Sequence, residues 1–221
     1  MSVTLLTRRV AIGVVFGGLA FTMGFLPLSF PYPLIPYLRF DLAEIPSFIA
    51  TMLFGPSLGM VAAFSHFLAL LFFGEWSPIG PALKFLAVSS SIVGFWAASR
   101  LFAGRGLILC SFGLGLSAAV VRIIVMTVTN YVILVAILPE ALDFAVSGLR
   151  AFTGIAPTTF VEKLFFVLIF TALYNGMHIP LSMVPSYLVM KSISPISVRL
   201  GSADPWIVRV ARIRQGRAAV T

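Results

Sequence analysis

Long stretches without a charged residue run along most of the chain. No Asp, Glu, Lys or Arg occurs in residues 10–38, 45–74 or 164–190. A helix rises about 1.5 Å per residue and needs roughly 20 apolar residues to cross a bilayer, so each stretch is long enough to span one. The pattern therefore predicts an all-α integral membrane protein.

The apolar stretches predict a six-transmembrane-helix bundle. Gly55-Pro56 divides the stretch 45–74 into two helices, because such a pair breaks or reverses a helix. Gly176 and Pro180 are expected break points in the last helix, and residues 139–157 are expected to form an external connection that is partly helical around Glu140–Arg150. The predicted helices cover about 10–26, 45–55, 57–73, 80–102, 107–138 and 158–190.

The distribution of charge predicts the orientation. If Gly55-Pro56 is a tight turn, most of the 15 basic residues fall on one side of the membrane and most of the 7 acidic residues on the other. Basic residues concentrate on the cytoplasmic side, so both termini are expected in the cytoplasm of a multi-pass cell-membrane protein. Residues 1–194 then form the membrane domain, and residues 195–221 form a basic tail that can attract anionic membrane lipid.

The amino-acid composition also indicates a membrane protein rather than a soluble one. The chain is 60% hydrophobic and 10% charged, whereas a soluble domain carries about 25% charged residues. A single cysteine, Cys110, excludes a disulfide within the chain. The net charge of +8 is explained by basic residues on the cytoplasmic side of the membrane, so it does not indicate nucleic-acid binding. Arg122 is the one charge in residues 106–139, so a ligand held inside the bundle is expected to be largely uncharged.

Polar side chains within the predicted helices are candidates for ligand binding, because they are costly in a bilayer. Asn130 and Tyr131 are adjacent in the fifth helix, and Asn175 and His178 share one face of the sixth. His66 lies in the third helix. Each of them could instead make an interhelical hydrogen bond or pack in the core. Two histidines without a third ligand are a weak metal site, so no metal is expected.

The first predicted loop is stiff and aromatic. Residues 31–42 contain three prolines and two tyrosines, which suits a lid over a flat ligand. Tyr37, Arg39, Phe40 and Asp41 are therefore candidate binding residues. The alternative is an aromatic belt at the membrane surface, with Arg39 in a peripheral ion pair.

Small residues line one side of the first helix. Ala11, Gly13 and Gly17 permit close approach of another helix, which could belong to this chain or to a membrane partner. Catalysis has little support, because the chain contains no His-Glu-x-x-His sequence.

Three segments resemble one family. They are Tyr37-Leu38-Arg39-Phe40-Asp41-Leu42-Ala43-Glu44-Ile45-Pro46, followed by Gly55-Pro56; Arg122-Ile123-Ile124-Val125-Met126-Thr127-Val128-Thr129-Asn130-Tyr131; and Asn175-Gly176-Met177-His178. Together they resemble the substrate-binding (S) components of energy-coupling factor (ECF) vitamin transporters, most closely the riboflavin branch.

The resemblance implies that the bundle holds a vitamin near the external face, under the first loop. Asn130, Asn175 and His178 would then contact riboflavin or a related aromatic vitamin, which is transported and is not a cofactor. In that family, small residues four apart on the first helix meet a transmembrane coupling subunit, and Gly13 and Gly17 are nearest to that pattern here. A pair of cytoplasmic ATPases would be separate chains.

The sequence also departs from the family. His66-Phe67 stands where the family usually has Lys-Asn, and His178 stands where it usually has Lys. An alternative alignment of the last helix would use Thr159 and Glu162 instead of Asn175 and His178. Two other functions remain possible: a solitary small-molecule permease, and an intramembrane enzyme or scaffold. The enzyme hypothesis requires both histidines to meet Glu75 or Glu162 in one cavity.

Overall fold

The chain folds into a bundle of helices. The structure, a computed structural model, describes residues 3–26, 29–74, 77–199 and 204–213. Its helices are α1 (Val3–Phe25), α2 (Ile45–Phe54), α3 (Pro56–Phe73), α4 (Ile79–Leu101), α5 (Leu107–Val132), α6 (Glu140–Thr153), α7 (Phe160–Arg199) and α8 (Trp206–Arg212). A π-helical turn (Ile133–Ile137) extends α5, and two short strands, β1 (Phe30–Pro31) and β2 (Arg39–Phe40), pair antiparallel.

Five segments within the described residues are long and apolar enough to cross a membrane, in α1, α3, α4, α5 and α7. Helices α2, α3, α4, α5 and α7 form a closed ring in which each packs against the next, and α1 packs outside against α2 and α3. Helix α2 has ten residues and is buried over Ile45–Met52. Its neighbours therefore shield an element that is about 15 Å long, shorter than a bilayer is thick.

Glycines set the closest contacts between helices. A Cβ on Gly94 would lie 2.5 Å from the Ala118 Cα, where α4 crosses α5. A Cβ on Gly59 would overlap the Thr51 hydroxyl across the α2–α3 turn. Gly55 connects these two helices with a φ of +104°, a conformation that glycine adopts without strain.

Helix α8 lies at one end of the bundle. Its Trp206 ring contacts the Gly55 turn. The α4–α5 turn also meets it, because the Gly104 and Gly106 amides donate to the carbonyls of Val210 and Ala211. Loop 1 (residues 29–44, between α1 and α2) and helix α6 lie at the opposite end. The bundle therefore has two distinct ends.

The small residues of α1 pack within the chain. A Cβ on Gly13 would lie 2.5 Å from Val61 Cγ1, and one on Gly17 would lie 2.5 Å from Ser65 Cβ. Gly13 and Gly17 therefore serve the α1–α3 contact, so the structure favours the internal use of this stripe over an interface with a partner. Ala11 faces outward from the bundle. The order of these pairs makes α1 parallel to α3, so α1 begins at the end where α8 lies.

One prediction about the second half of the chain is wrong. Helix α7 continues through Gly176 and Pro180, although Pro180 cannot donate to the Gly176 carbonyl. Packing of α5 against α7, with Ile123 beside Gly176, holds the helix in place. Within residues 139–157, α6 forms the helix predicted from the sequence around Glu140–Arg150, and it continues to Thr153. The boundary at 194/195 stays a prediction, and the tail arginines Arg214 and Arg217 lie outside the described residues.

Candidate functional site

A cavity of about 430 Å³ lies beneath loop 1, between α4, α5, α6 and α7. This volume is within the range of small-molecule sites, about 300–1,000 Å³. Apolar side chains form most of its wall, and polar groups converge on its inner side. The lining residues are Tyr37, Leu38, Arg39, Asp41, Glu44, Ile79, Gly80, Leu83, Lys84, Ala87, Arg122, Met126, Asn130, Ile133, Leu134, Leu138, Glu140, Ala141, Phe144, Tyr174, Asn175 and His178.

Hydrogen bonds on one side and an ion pair on the other hold loop 1 over the cavity. On the α7 side, the Tyr174 hydroxyl donates to the Arg39 carbonyl at 2.6 Å, and His178 Nε2 lies 3.1 Å from the Asp41 carbonyl. On the α4 side, Lys84 Nζ binds the Asp41 carboxylate at 2.7 Å. The Phe40 ring packs against α7, with its centroid 4.7 Å from that of Tyr174 and 5.6 Å from that of His178. Strand β2 is thereby held as a lid.

A buried ion pair forms the inner side of the cavity. Arg122 on α5 is 2% exposed, and its guanidinium donates to both Glu44 carboxylate oxygens, at 2.6 and 2.9 Å. Its Nε donates to the Asn175 amide oxygen at 3.0 Å. His178 Nε2 lies 3.6 Å from the same carboxylate. The pair therefore joins α2, α5 and α7 beneath the ligand space, with the bidentate geometry in which arginine binds carboxylates most strongly.

The chain contains two asparagines, and both line this cavity. The Asn130 amide nitrogen donates to the Met126 carbonyl, and that of Asn175 donates to the Thr171 carbonyl. An amide nitrogen carries two hydrogens, so each side chain keeps a second N–H after this bond. The two amides can therefore anchor the polar edge of a ligand.

Tyr37, in loop 1, supplies a hydrogen-bond donor to the cavity. Its ring stacks on Phe144 of α6, with centroids 6.4 Å apart. Within the described part of the chain, its buried hydroxyl has no hydrogen-bond partner. Burial raises the pKa of Tyr37 to about 12, so the hydroxyl stays protonated. A buried donor without a partner costs free energy, and a ligand acceptor would remove that cost.

Charge inside the bundle is greater than the sequence predicts. The expectation of an almost uncharged interior overlooks Glu44 and Arg122, both about 2% exposed. These two charges cancel each other, as do those of Lys84 and Asp41 in the wall. The Arg39 guanidinium lies at the exposed end of the lid and donates to Ser29. Because the buried charges are paired, the cavity still favours a ligand without net charge.

Six of the nine predicted binding residues line the cavity: Tyr37, Arg39, Asp41, Asn130, Asn175 and His178. Phe40 lies behind the lining, packed on Tyr174 and His178. Tyr131 is 48% exposed on the outer face of α5, because adjacent helix positions point about 100° apart. His66 is buried in α3, outside the lining, and its Nε2 has no hydrogen-bond partner among the described residues.

The alternative alignment of the last helix places its residues elsewhere. Thr159 and Glu162 form a capping box at the start of α7, in which Glu162 accepts from the Thr159 amide and Thr159 Oγ1 accepts from the Glu162 amide. Glu162 is exposed there, and His66 and His178 do not share a cavity lining. The convergence that the enzyme hypothesis requires is therefore missing among the described residues, and Glu75 lies outside them.

A hydrolase-like sequence also has a structural explanation. Gly55-Pro56-Ser57-Leu58-Gly59 matches Gly-x-Ser-x-Gly, and sequence reasoning missed it. The nucleophile elbow of hydrolases needs a strand followed by a helix. This segment instead joins α2 to α3, so it is a helix–helix turn.

Comparison with known proteins gives relatives of one kind. No protein-family model matches the chain. The riboflavin transporter RibU of Staphylococcus aureus is 26% identical over 162 residues, which cover 71% of this chain and 83% of that protein. The riboflavin transporter FmnP of Bacillus subtilis is 28% identical over 160 residues, which cover 66% of this chain and 80% of that protein.

A solved structure of the S component of a bacterial ECF transporter matches 86% of this chain and 98% of its own, with a TM-score of 0.66 and 22% identity. The fold is that of an S component. These matches confirm the resemblance predicted from the sequence, and the S-component fold with its apolar helices makes the chain a multi-pass protein of the cell membrane.

Proposed function

We propose that this chain is the S component of an ECF-type vitamin transporter and that it captures riboflavin, or a closely related aromatic vitamin, at the external face. The observation that carries the proposal is the cavity itself: a lidded, largely apolar space in which both asparagines of the chain converge. The names of the two relatives support riboflavin as its ligand.

The binding free energy would come from burial of the ligand's apolar surface and from hydrogen bonds to its polar edge. A flat ring system would lie against the apolar wall, where burial contributes about 25 cal/mol per Å². Asn130, Asn175 and the Tyr37 hydroxyl would bind its polar edge. A ligand that lacks matching groups would leave these donors unpaired, which costs about 1–3 kcal/mol for each buried group.

The structure supports a topology of six crossings with both termini in the cytoplasm. Helix α2 leads from Glu44 at the cavity to the Gly55 turn beside α8, so it traverses the bundle despite its length. Helix α1 begins at the end of the bundle where α8 lies. The α4–α5 turn lies at the same end, with Arg100 just before it and Arg105 within it. This end is basic, as cytoplasmic ends are. The cavity then faces outward.

Transport would require further chains. An S component of this kind would import its vitamin together with a transmembrane coupling subunit and a pair of cytoplasmic ATPases. The vitamin is then cargo rather than a cofactor, and this chain performs no catalysis.

Uptake assays distinguish this proposal from a solitary permease. Riboflavin-requiring cells that lack their own importer would express this chain with or without a coupling subunit and its ATPases. Accumulation of radiolabelled riboflavin is expected only with the coupling module, and an ATPase variant that cannot hydrolyse ATP should abolish it. Equal uptake without the module would establish the permease, and absence of uptake in both cells would contradict riboflavin as the cargo.

A further inference from the structure

Two neighbouring groups fix the orientation of the Asn175 amide, which lines the cavity. Arg122 Nε can only donate a hydrogen bond, and it points at the oxygen of the Asn175 side chain. The other end of that amide donates to the Thr171 carbonyl, which can only accept. Turning the Asn175 amide over would therefore break both hydrogen bonds.

The second asparagine is held differently. Asn130 is bound through its nitrogen to the Met126 carbonyl of its own helix. The Asn175 amide, by contrast, depends on a guanidinium that is itself fixed by two hydrogen bonds to Glu44. An ion pair between Glu44, at the end of loop 1, and Arg122 on α5 thus controls a binding group on α7.

We infer that Arg122, held by Glu44, is a positioning residue that turns the Asn175 amide so that its second N–H is offered to the ligand. The inference takes the ligand's class from the proposed function. It adds that the ligand edge at Asn175 carries a hydrogen-bond acceptor, such as a ring carbonyl or an unprotonated ring nitrogen. A ligand with a donor there would meet an N–H and bind weakly.

A double-mutant cycle tests whether Arg122 acts through Asn175. Arg122→Lys keeps a cation beside Glu44 but removes the Nε donor. Arg122→Lys and Asn175→Ala are each expected to lower riboflavin affinity by roughly tenfold, the loss of about one hydrogen bond. Combined, they should lower it no further than Asn175→Ala alone, because the positioned group is already gone. Losses that multiply would overturn the inference.

Asn130 supplies the matched control. Among the described residues, Arg122 makes no hydrogen bond to its amide, so Arg122→Lys and Asn130→Ala should act independently, with losses that multiply to roughly a hundredfold.

A second measurement needs no ligand. Because the chain has two asparagines, labelling with ¹⁵N-asparagine gives two side-chain amide signals, which the single alanine variants assign. Arg122→Lys should shift the Asn175 signal and leave that of Asn130 in place. If this variant does not fold, Arg122→Met with Glu44→Leu removes both charges together and should give the same shift.

An unchanged Asn175 signal in a folded variant would overturn the inference, whereas a failure of riboflavin binding in the unaltered protein would contradict only the proposed function.

Discussion

At the scale of single residues, the Glu44–Arg122 pair is the least predictable part of the site. Its partners are 78 positions apart, and Glu44 lies at the end of a loop, where a carboxylate is ordinarily solvated. Asn130 and Asn175 could be predicted because an amide inside an apolar helix stands out in the sequence. Pairing across the bundle leaves no comparable local pattern, so the sequence shows Arg122 as a lone charge and does not identify its partner.

This pair predicts an asymmetric response to substitution. Glu44→Ala leaves the buried Arg122 charge uncompensated and should lower the free energy of unfolding by about 3–5 kcal/mol. Glu44→Leu with Arg122→Met removes both charges and should cost less. Thermal unfolding in one detergent compares the variants. A double variant less stable than Glu44→Ala would show that the pair contributes more than mutual neutralisation.

At the scale of elements, the helices follow from hydropathy, whereas their contacts depend on where small residues fall. The stripe on α1 is visible in the sequence, but its partner is not, because Gly13 and Gly17 would suit any close helix. The continuity of α7 through Pro180 is likewise decided by its neighbours rather than by its own residues.

Packing of α1 against α3 can be tested at adjacent glycines. Gly17→Leu would collide with Ser65 and the Ala62 carbonyl, and overpacking of this kind costs about 1–3 kcal/mol. Gly18→Leu is the control, since no atom of the described residues lies within 4 Å of its added Cβ. The melting temperature of purified protein should fall for Gly17→Leu alone. Equal melting temperatures would contradict the internal role of Gly17.

The contact between Tyr174 and loop 1 predicts the rate at which riboflavin dissociates. Tyr174→Phe removes the hydroxyl that holds the Arg39 carbonyl and contacts His178. Loss of about 1 kcal/mol from the closed state should speed riboflavin dissociation roughly fivefold. Stopped-flow fluorescence measures this rate, with Tyr187→Phe in the same helix as the control. If both variants release riboflavin at the unaltered rate, the Tyr174 contact does not hold the lid closed.

At the scale of the whole molecule, the proposed orientation predicts that α6 faces the outside of the cell and the α4–α5 turn faces the cytoplasm. The single Cys110 is buried, so a cysteine introduced at the exposed Ser147 of α6 or Arg105 of the α4–α5 turn can be labelled selectively. A membrane-impermeant maleimide added to intact cells should label Ser147→Cys and not Arg105→Cys. Permeabilised cells supply the control in which both react. The reverse pattern would invert the topology.

The central claim is that the cavity beneath loop 1 binds riboflavin, and direct titration of the purified protein tests it. We expect one equivalent of riboflavin per chain, with flavin absorbance retained through purification or restored on addition. Asn130→Ala and Asn175→Ala should each weaken that binding by about 1–3 kcal/mol. A colourless protein whose thermal stability does not change with added riboflavin would contradict the account.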